Sequence, residues 1–436
     1  FFKSFFSNKD NVAQHAFYPF IRMVIRTPRF KKTETLYDRE KPIRKIVDKD
    51  RPLAYAAHFD AFIYSYYSTL LTENYERKAK KWDIYENVIA YLEKGVSNIE
   101  FAHEVFEHIK EKGECVAIAF DVSNFFDGLE HEHLKKMWGR VINKPKLPED
   151  HFNVYKSLTE YSFVAKEDLE KVFPHIVTNQ KKNMPTKRIC EPVEFRERVR
   201  KQGLVKSNPF KIMAKESTRF GQKCGIPQGS PISACLSNIY MLEFDIRTKQ
   251  KTEEINGIYR RYCDDIIVVV DSKDAVTMHQ FINDEISRYH LEINETKTET
   301  TFFKNDRNGN LRAYNGKDEY STMQYLGFEF NGSNTYIRSS SMSRYFKRLT
   351  ARIRENLKAA YGKNAIGDTL FRRKLHNRYT NKGERNFITY AERAARHMNS
   401  LTIKKQTKNS MKKVKEKVSK KKHDFEEKRK PTKIMS

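Results

Sequence analysis

Three aspartates carry the chemistry open to this sequence: Asp121, which ends the apolar run Cys115 to Phe120, and the adjacent pair Asp264 and Asp265, just ahead of Ile266 to Val270. Magnesium prefers hard oxygen ligands and keeps part of its water and phosphate shell, so a catalytic site needs only two or three carboxylates converging from separate elements. A strand-end acid beside an acid pair at a hairpin tip can hold two such ions about 4 Å apart, one activating an attacking hydroxyl and one stabilising a leaving pyrophosphate. The implied reaction is nucleotidyl transfer. Taken singly, each acid has a plainer explanation, since adjacent aspartates are common in solvated turns and a strand-terminal Asp often caps the next loop. The apolar strands framing both sites argue for function, because negative charge at a buried edge calls for a cation.

Positioning these acids requires a strand under each. Cys115 to Phe120 reads as a strand, followed by an amphipathic helix through Leu129, Leu134, Met137 and Val141. Tyr259 to Val270 reads as strand, tight turn, strand, with the acid pair at the turn. Between them lies a loop, Gly225 to Gly229, then Ser230 and Pro231 placed to cap and start a helix carrying Ile232, Leu236, Ile239 and Leu242. Upstream, Tyr55, Phe59, Phe62, Ile63, Tyr66 and Leu70 recur at helical spacing, and a second helix is expected through Tyr85, Val88 and Tyr91. Downstream, a helix through Val276, Phe281, Ile282, Ile286 and Tyr289 precedes short strands near Leu291 to Thr300 and Tyr325 to Phe330. From Ser343 onward, Tyr345, Leu349, Ile353 and Leu357 predict an appended helical domain. The fold class is α+β. In residues 1 to 50, Pro19, Pro28 and Pro42 are expected to break any long element, leaving an aromatic and basic arm. Residues 143 to 222 read as an insertion or mobile helical layer, and the Lys-rich chain after Leu401 as a solvated or RNA-ordered tail.

Lys and Arg number 83 against 56 Asp and Glu, a net charge of +27, which makes nucleic acid the first partner to consider. No stretch approaches the roughly 20 apolar residues of a membrane-spanning helix, so no membrane partner is expected. Cys115, Cys190, Cys224, Cys235 and Cys263 form no C-x-x-C pair and are odd in number, which points away from zinc and disulfides and toward a reducing cytoplasm. The first residues mix Lys, Asp and Asn too freely for a signal peptide. Glu130-His131-Glu132-His133 has a metal-binding look, but residues two apart on a helix diverge, and a solvated helix start is the better reading. Tyr64 to Tyr67 could stack bases, though helical packing explains it as well.

Three segments carry a resemblance. Phe120-Asp121-Val122-Ser123-Asn124-Phe125-Phe126-Asp127 resembles the first catalytic motif of group II intron and retron reverse transcriptases. Gly225-Ile226-Pro227-Gln228-Gly229-Ser230-Pro231-Ile232-Ser233 is similar to their nucleotide-pocket loop, and Tyr262-Cys263-Asp264-Asp265 to their Y-x-D-D, in the family's order. The resemblance implies an RNA-directed DNA polymerase with two Mg2+ ions, catalytic Asp121, Asp264 and Asp265, and a metal-holding set of Asp121, Val122, Asp264 and Asp265. It implies Phe126 as an aromatic gate that excludes a 2′-hydroxyl, and so deoxynucleotides as substrates; a core Phe beside Phe125 is the plainer view of that ring. Gln228 and Gly229 would line the nucleotide pocket. Asn294 to Thr298 resembles the next motif and offers Lys297 to the triphosphate, a surface Lys being the alternative. Tyr325-Leu326-Gly327-Phe328 resembles the primer grip, with an ordinary strand and bulge glycine as the alternative. Arg51, in Arg51-Pro52-Leu53, loosely matches the fingers motif that meets incoming phosphate.

No His/Asn-rich nuclease cluster follows residue 345, unlike many intron-encoded members, and Ile337-Arg338-Ser339-Ser340 departs from the retron V-T-G. The aromatic N-terminal arm, the segment Tyr55-Ala56-Ala57-His58-Phe59-Asp60 and the compact length resemble bacterial defence-associated reverse transcriptases, type 2 systems in particular. That resemblance implies a structured non-coding RNA template, an RNA/DNA duplex product, dNTP substrates and a role in antiphage defence. Two other readings remain: an untemplated or protein-primed DNA synthesiser, and an RNA-binding, maturase-like scaffold. The expected architecture is a right-hand polymerase, with an N-terminal arm over 1–50, fingers and palm over 51–335, a helical thumb over 336–400 and a basic tail over 401–436.

Overall fold

The computed structural model describes residues 2–38, 41–181, 188–207, 223–361 and 370–427. Among these residues the strands in chain order are β1 Phe20–Asp38, β2 Lys41–Tyr55, β3 Cys115–Asp121, β4 Ser162–Ala165, β5 Lys206–Ser207, β6 Ile258–Tyr262, β7 Asp265–Val270, β8 Glu299–Asn305, β9 Leu311–Tyr314, β10 Met323–Tyr325, β11 Phe328–Phe330 and β12 Thr335–Ile337. The central sheet runs β6-β7-β3-β8-β9, and all its pairings are antiparallel. Every residue from Ile266 to Val270 is buried, because the sheet is covered on both faces. Alternation sends Ile266, Val268 and Val270 into one core layer with Val116, Ile118 and Phe120, and Ile267 and Val269 into the other with Cys115 and Ala117.

The first layer includes helices His58–Lys81, His131–Val141 and Ser233–Tyr240. The second includes helix Asn98–Lys112, whose start is a capping box of Ser97 and Glu100, and the three-stranded sheet β10-β11-β12. Helix Ser339–Tyr361 buries Tyr345, Leu349, Ile353 and Leu357, the spacing of four seen in the sequence, against Leu375, Tyr379, Val414 and Val418.

Several sequence expectations fail for identifiable reasons. The prolines do not break residues 1 to 50: β1 and β2 form a long antiparallel hairpin, with Pro28 opposite Asp48 and Pro42 near the start of β2. Among the described residues β1 beyond Arg22 is paired only with β2, so this ribbon has edges that tolerate a missing N–H. The hairpin also runs through the expected boundary at residue 50. Its side chains at 29–47 lie outside the described set.

Residues 143–181 and 188–207 are not a loose layer. Strand β4 pairs in parallel with β1, and Val164, Leu169, Phe173, Ile176 and Val199 form a core of their own; residues 182–187 and 208–222 lie outside the described set. The segment after Leu401 is not a solvated tail as far as Glu427, since helices Leu401–Thr407 and Ser410–Glu427 bury Ile403 and Val414. Tyr85 to Tyr91 is not a helix, because its backbone groups bond to β6 instead. In helix His58–Lys81 the buried side is Asp60, Ile63, Tyr64, Tyr67, Leu71 and Tyr75; Phe62 is exposed and Tyr55 belongs to β2. Val276 is likewise exposed, and Leu291 to Thr300 is a loop until β8 begins at Glu299. No described helix is long and apolar enough to cross a membrane. Among the described residues no disulfide links Cys115, Cys190, Cys224, Cys235 or Cys263.

Candidate active site

The β3/β7 register places Asp121 directly opposite Asp265, and β6 pairs Tyr262 with Asp265, leaving Cys263 and Asp264 as the connecting turn. Cys263 takes φ +59°, one of the left-handed positions a two-residue hairpin turn demands. The end of β3 is laced to the loop before β8: Asn294 N–H donates to Asp121 O (2.7 Å) and Ser123 N–H to Glu292 O (2.8 Å), while Val122 bridges Ile293 and its N–H reaches Asp264 O (3.3 Å). This is how one strand end and one hairpin tip, 143 residues apart in sequence, come to share a site.

The site opens into a cleft of about 900 Å³. Of the residues singled out from sequence, Arg51, Asp121, Val122, Phe126, Gln228, Asp264, Asp265, Lys297, Tyr325 and Leu326 all line it. Gly229 lies behind the lining at φ +115°, where an added Cβ would stand 3.1 Å from Ala54 O, and the neighbouring Gln228 O accepts from Ala54 N–H (2.8 Å). The loop is therefore stapled to the hairpin that carries Arg51. Gly225, at φ +98°, lets the same loop pass close to Asp127, and Ile226 N–H donates to Phe126 O (3.0 Å). Of the paired rings, Phe125 is buried in the core, while Phe126 is half-buried and reaches the cleft edge-on to it, 5.5 Å between centroids.

Gly327 is not a bulge. Leu326 and Gly327 (φ +43° and +92°) make the turn of the β10/β11 hairpin, pinned by Asn98 Nδ2 to Leu326 O (2.9 Å) and Arg338 N–H to Gly327 O (3.0 Å). Ser230 does not cap the following helix, which starts at Ser233; the Ser233 hydroxyl donates to Pro227 O (2.7 Å) instead, and the buried Ser230 hydroxyl has no partner among the described residues. The Glu130–His133 segment is solvated at Glu132 but not at its neighbours: His131 Nε2 meets Gly225 O (2.9 Å), His133 Nε2 meets Tyr240 O (3.1 Å), and Glu130 caps the helix. Tyr64 and Tyr67 are buried in helical packing, their hydroxyls on Ser157 and Asp150.

Electrostatically the site is a concentration of like charge. Burial, then Asp264, then Asp121 push the Asp265 carboxyl up to about 6. Lys297 forms an ion pair with Asp121, and Arg338 lines the cleft nearby. Among the described residues no group of three or more His, Cys, Asp or Glu side chains closes on a point as a full metal cage. The arrangement is open, and its donors are all hard oxygens. Such a set suits magnesium, which is held by one or two carboxylates and completes its shell with water and substrate phosphate.

Sequence reasoning missed the support beneath the turn. Arg261 and Asp245 are both 0% exposed and bonded bidentately, Nε to Oδ1 and Nη2 to Oδ2, each at 2.7 Å. Arg261 Nη1 also donates to Cys263 O (3.1 Å) and Asn238 Oδ1 (3.3 Å), and the Tyr259 hydroxyl donates to Asp245 (2.6 Å). The signal was present in the alternation of β6, whose Tyr259 and Arg261 both point inward.

One comparison bears on the part of the chain that holds this site. Residues 136–330 match the reverse transcriptase (RNA-dependent DNA polymerase) family, a span that holds the Gly225 loop and the Asp264–Asp265 turn. That span is similar to a reverse transcriptase domain, and the described elements have the α+β architecture of a right-hand polymerase. Asp121 precedes the match and joins it through its pairing with Asp265. Among solved structures, apo telomerase from Candida tropicalis is similar at 14% identity and a TM-score of 0.42, covering 90% of this chain and 61% of that one. Telomerase from Candida albicans in complex with a fragment of telomeric RNA is similar at 11% identity and a TM-score of 0.41, covering 95% and 59%. This chain thus spans about three fifths of those two. No curated sequence matches.

Proposed function

We propose that the chain extends a primer by copying RNA into DNA, with Asp121, Asp264 and Asp265 holding two magnesium ions at the cleft. The observation that carries this reading is the register pairing of Asp121 with Asp265 beside Asp264, three acids lining one cleft of a strongly basic chain. Bound magnesium supplies activation of the attacking 3′-hydroxyl and charge neutralisation at the leaving pyrophosphate. The chain's own groups do the rest. Phe126 presents its ring where a 2′-hydroxyl would stand, Gln228 and the Gly229 backbone line the nucleotide pocket, and Lys297 and Arg51 offer positive charge to the triphosphate. Leu326 and Tyr325, on a tight hairpin, support the primer end. The template is a structured non-coding RNA and the role antiphage defence, a reading supported by the resemblance of the N-terminal arm and Tyr55 to Asp60 to the type 2 defence enzymes.

The test is to purify the protein from its native host, sequence the RNA that accompanies it, add magnesium and dNTPs, and sequence the DNA made. DNA complementary to one bound RNA is expected. DNA of low complexity, or matching no RNA, would overturn templated synthesis, and RNA with no DNA would point to a scaffold. Replacing Asp264 and Asp265 together by Ala should abolish synthesis with RNA binding nearly unchanged. The same double variant should lose protection in a phage plaque assay; retained protection would sink the role assigned to the DNA product.

A further inference from the structure

Tyr91 is an aromatic residue whose place in the cleft costs the backbone and gains little packing. Its φ is +62°, a left-handed value that bulky residues rarely adopt, and the residue is 46% exposed on the cleft wall. The ring touches the site only at its margin, tilted 46° to Tyr262 with centroids 6.3 Å apart.

The surrounding structure nevertheless over-determines this conformation. Ile89 N–H donates to Arg261 O (3.0 Å), Arg261 N–H to Asn87 O (2.8 Å), and Asn87 Nδ2 to Tyr259 O (3.0 Å), which ties the segment to the outer edge of β6. Asn238 Nδ2 then donates to Ala90 O (2.8 Å), fixing the peptide just before Tyr91. The same Asn238 accepts from Arg261, whose Nη1 also holds Cys263 O. One buried guanidinium thus sets the position of Tyr91 relative to the Asp264 turn. Strain held in place by its surroundings and aimed at an open cleft is a mark of a contact surface rather than of core packing.

We propose that the Tyr91 ring is a contact for the terminal base pair of the primer–template duplex, packing against its sugar or base beside Asp264. The inference rests on the polymerase reading above. Every base has a face an aromatic ring can pack on, so the contact is indifferent to sequence, as a copying enzyme requires.

The test compares wild type with Tyr91→Asn, which tolerates a left-handed backbone and removes the ring, and Tyr91→Phe, which keeps it. Primer extension on an RNA template is measured with primer–template and dNTP varied separately, alongside duplex binding by fluorescence anisotropy in calcium and thermal melting. For Tyr91→Asn, KM and Kd for the duplex should rise about ten-fold, the scale of losing one base-stacking contact. Its kcat, KM for dNTP and melting temperature should stay close to wild type, and Tyr91→Phe should bring the duplex KM back toward the wild-type value. Unchanged duplex KM and Kd would overturn the proposal, as would a fall confined to kcat, which would make Tyr91 a brace for the turn. A wild-type protein that makes no DNA would sink the polymerase reading itself, and the binding arm would still decide whether Tyr91 meets the duplex.

Discussion

Replacing Asp265 by Asn should make the metal-free protein more stable while removing its activity. In the folded chain its carboxyl titrates near 6 instead of 3.8, raised by burial and by Asp264 and Asp121. An acid whose folded pKa lies above its unfolded value keeps its proton longer in the native state, so stability falls as pH rises between about 4 and 6 and the full penalty stands above that window. Two pKa units correspond to about 3 kcal/mol if the carboxylate were fully shielded. Asp265 lies deep among surrounding atoms yet is exposed to the water of the cleft, and screening there brings the expected gain for Asp265→Asn to about 1 kcal/mol. That is about 2 °C in melting temperature for a unit of this size. The assay is thermal melting in EDTA at pH 8 and pH 5, then at pH 8 with magnesium. At pH 5 the gain should shrink to roughly half, because the wild-type group is already mostly protonated. Magnesium should stabilise wild type more than the variant. A variant that melts at or below wild type in EDTA at pH 8 would refute the reasoning, since the cluster would then carry no repulsion to relieve.

Three further outcomes are expected. Arg261→Met leaves Asp245 charged and unpaired in the core and should cost about 3–5 kcal/mol in denaturant unfolding; a cost below about 1 kcal/mol would mean the buried pair does not hold the turn. Phe126→Val should raise the use of ribonucleotides relative to deoxynucleotides by at least about ten-fold, a difference of 1.4 kcal/mol, in primer extension; an unchanged ratio would leave Phe126 a packing residue. Ending the chain before Ser410 removes Val414 and Val418 from the core beneath helix Ser339–Tyr361 and should cost about 3 kcal/mol and expose Leu349 and Ile353 to proteolysis, whereas a solvated tail would be lost without effect.

What the sequence made legible was local. The run Cys115 to Phe120 before Asp121, the turn at Cys263–Asp264 and the helix spacing from Tyr345 to Leu357 each carry their signal within a few residues, and each element lies where its pattern indicated. The Gly225–Gly229 loop was legible through residue type, although its cap was not, because Ser233 rather than Ser230 makes the bond to the loop. What stayed hidden depends on distant partners. Tyr85 to Tyr91 has apolar residues at helical spacing, but its bonds go to Arg261, 170 residues on from Tyr91, and to Asn238. Arg261 in an apolar strand made sense only once Asp245 arrived from the preceding helix. The prolines misled because their cost depends on which edge of a ribbon is free, a property of the pairing and not of the residue.

Strain and like charge gather at one place in this molecule. Cys263, Tyr91 and Asn124 hold left-handed backbones and line the same cleft as the acids, where three carboxylates gather, while the strands beneath are apolar and closely covered. A sheet buried on both faces can carry such a load, because its pairing fixes Asp121 against Asp265 whatever their mutual repulsion. The local relief is partial and exchangeable: Lys297, the cation nearest Asp121, is itself 44% exposed, and an ion pair so open to water contributes little. On the proposed reading this weakness is useful. An ammonium held loosely by Asp121 can turn to a triphosphate at small cost, and a buried Lys297 locked in place could not make that exchange.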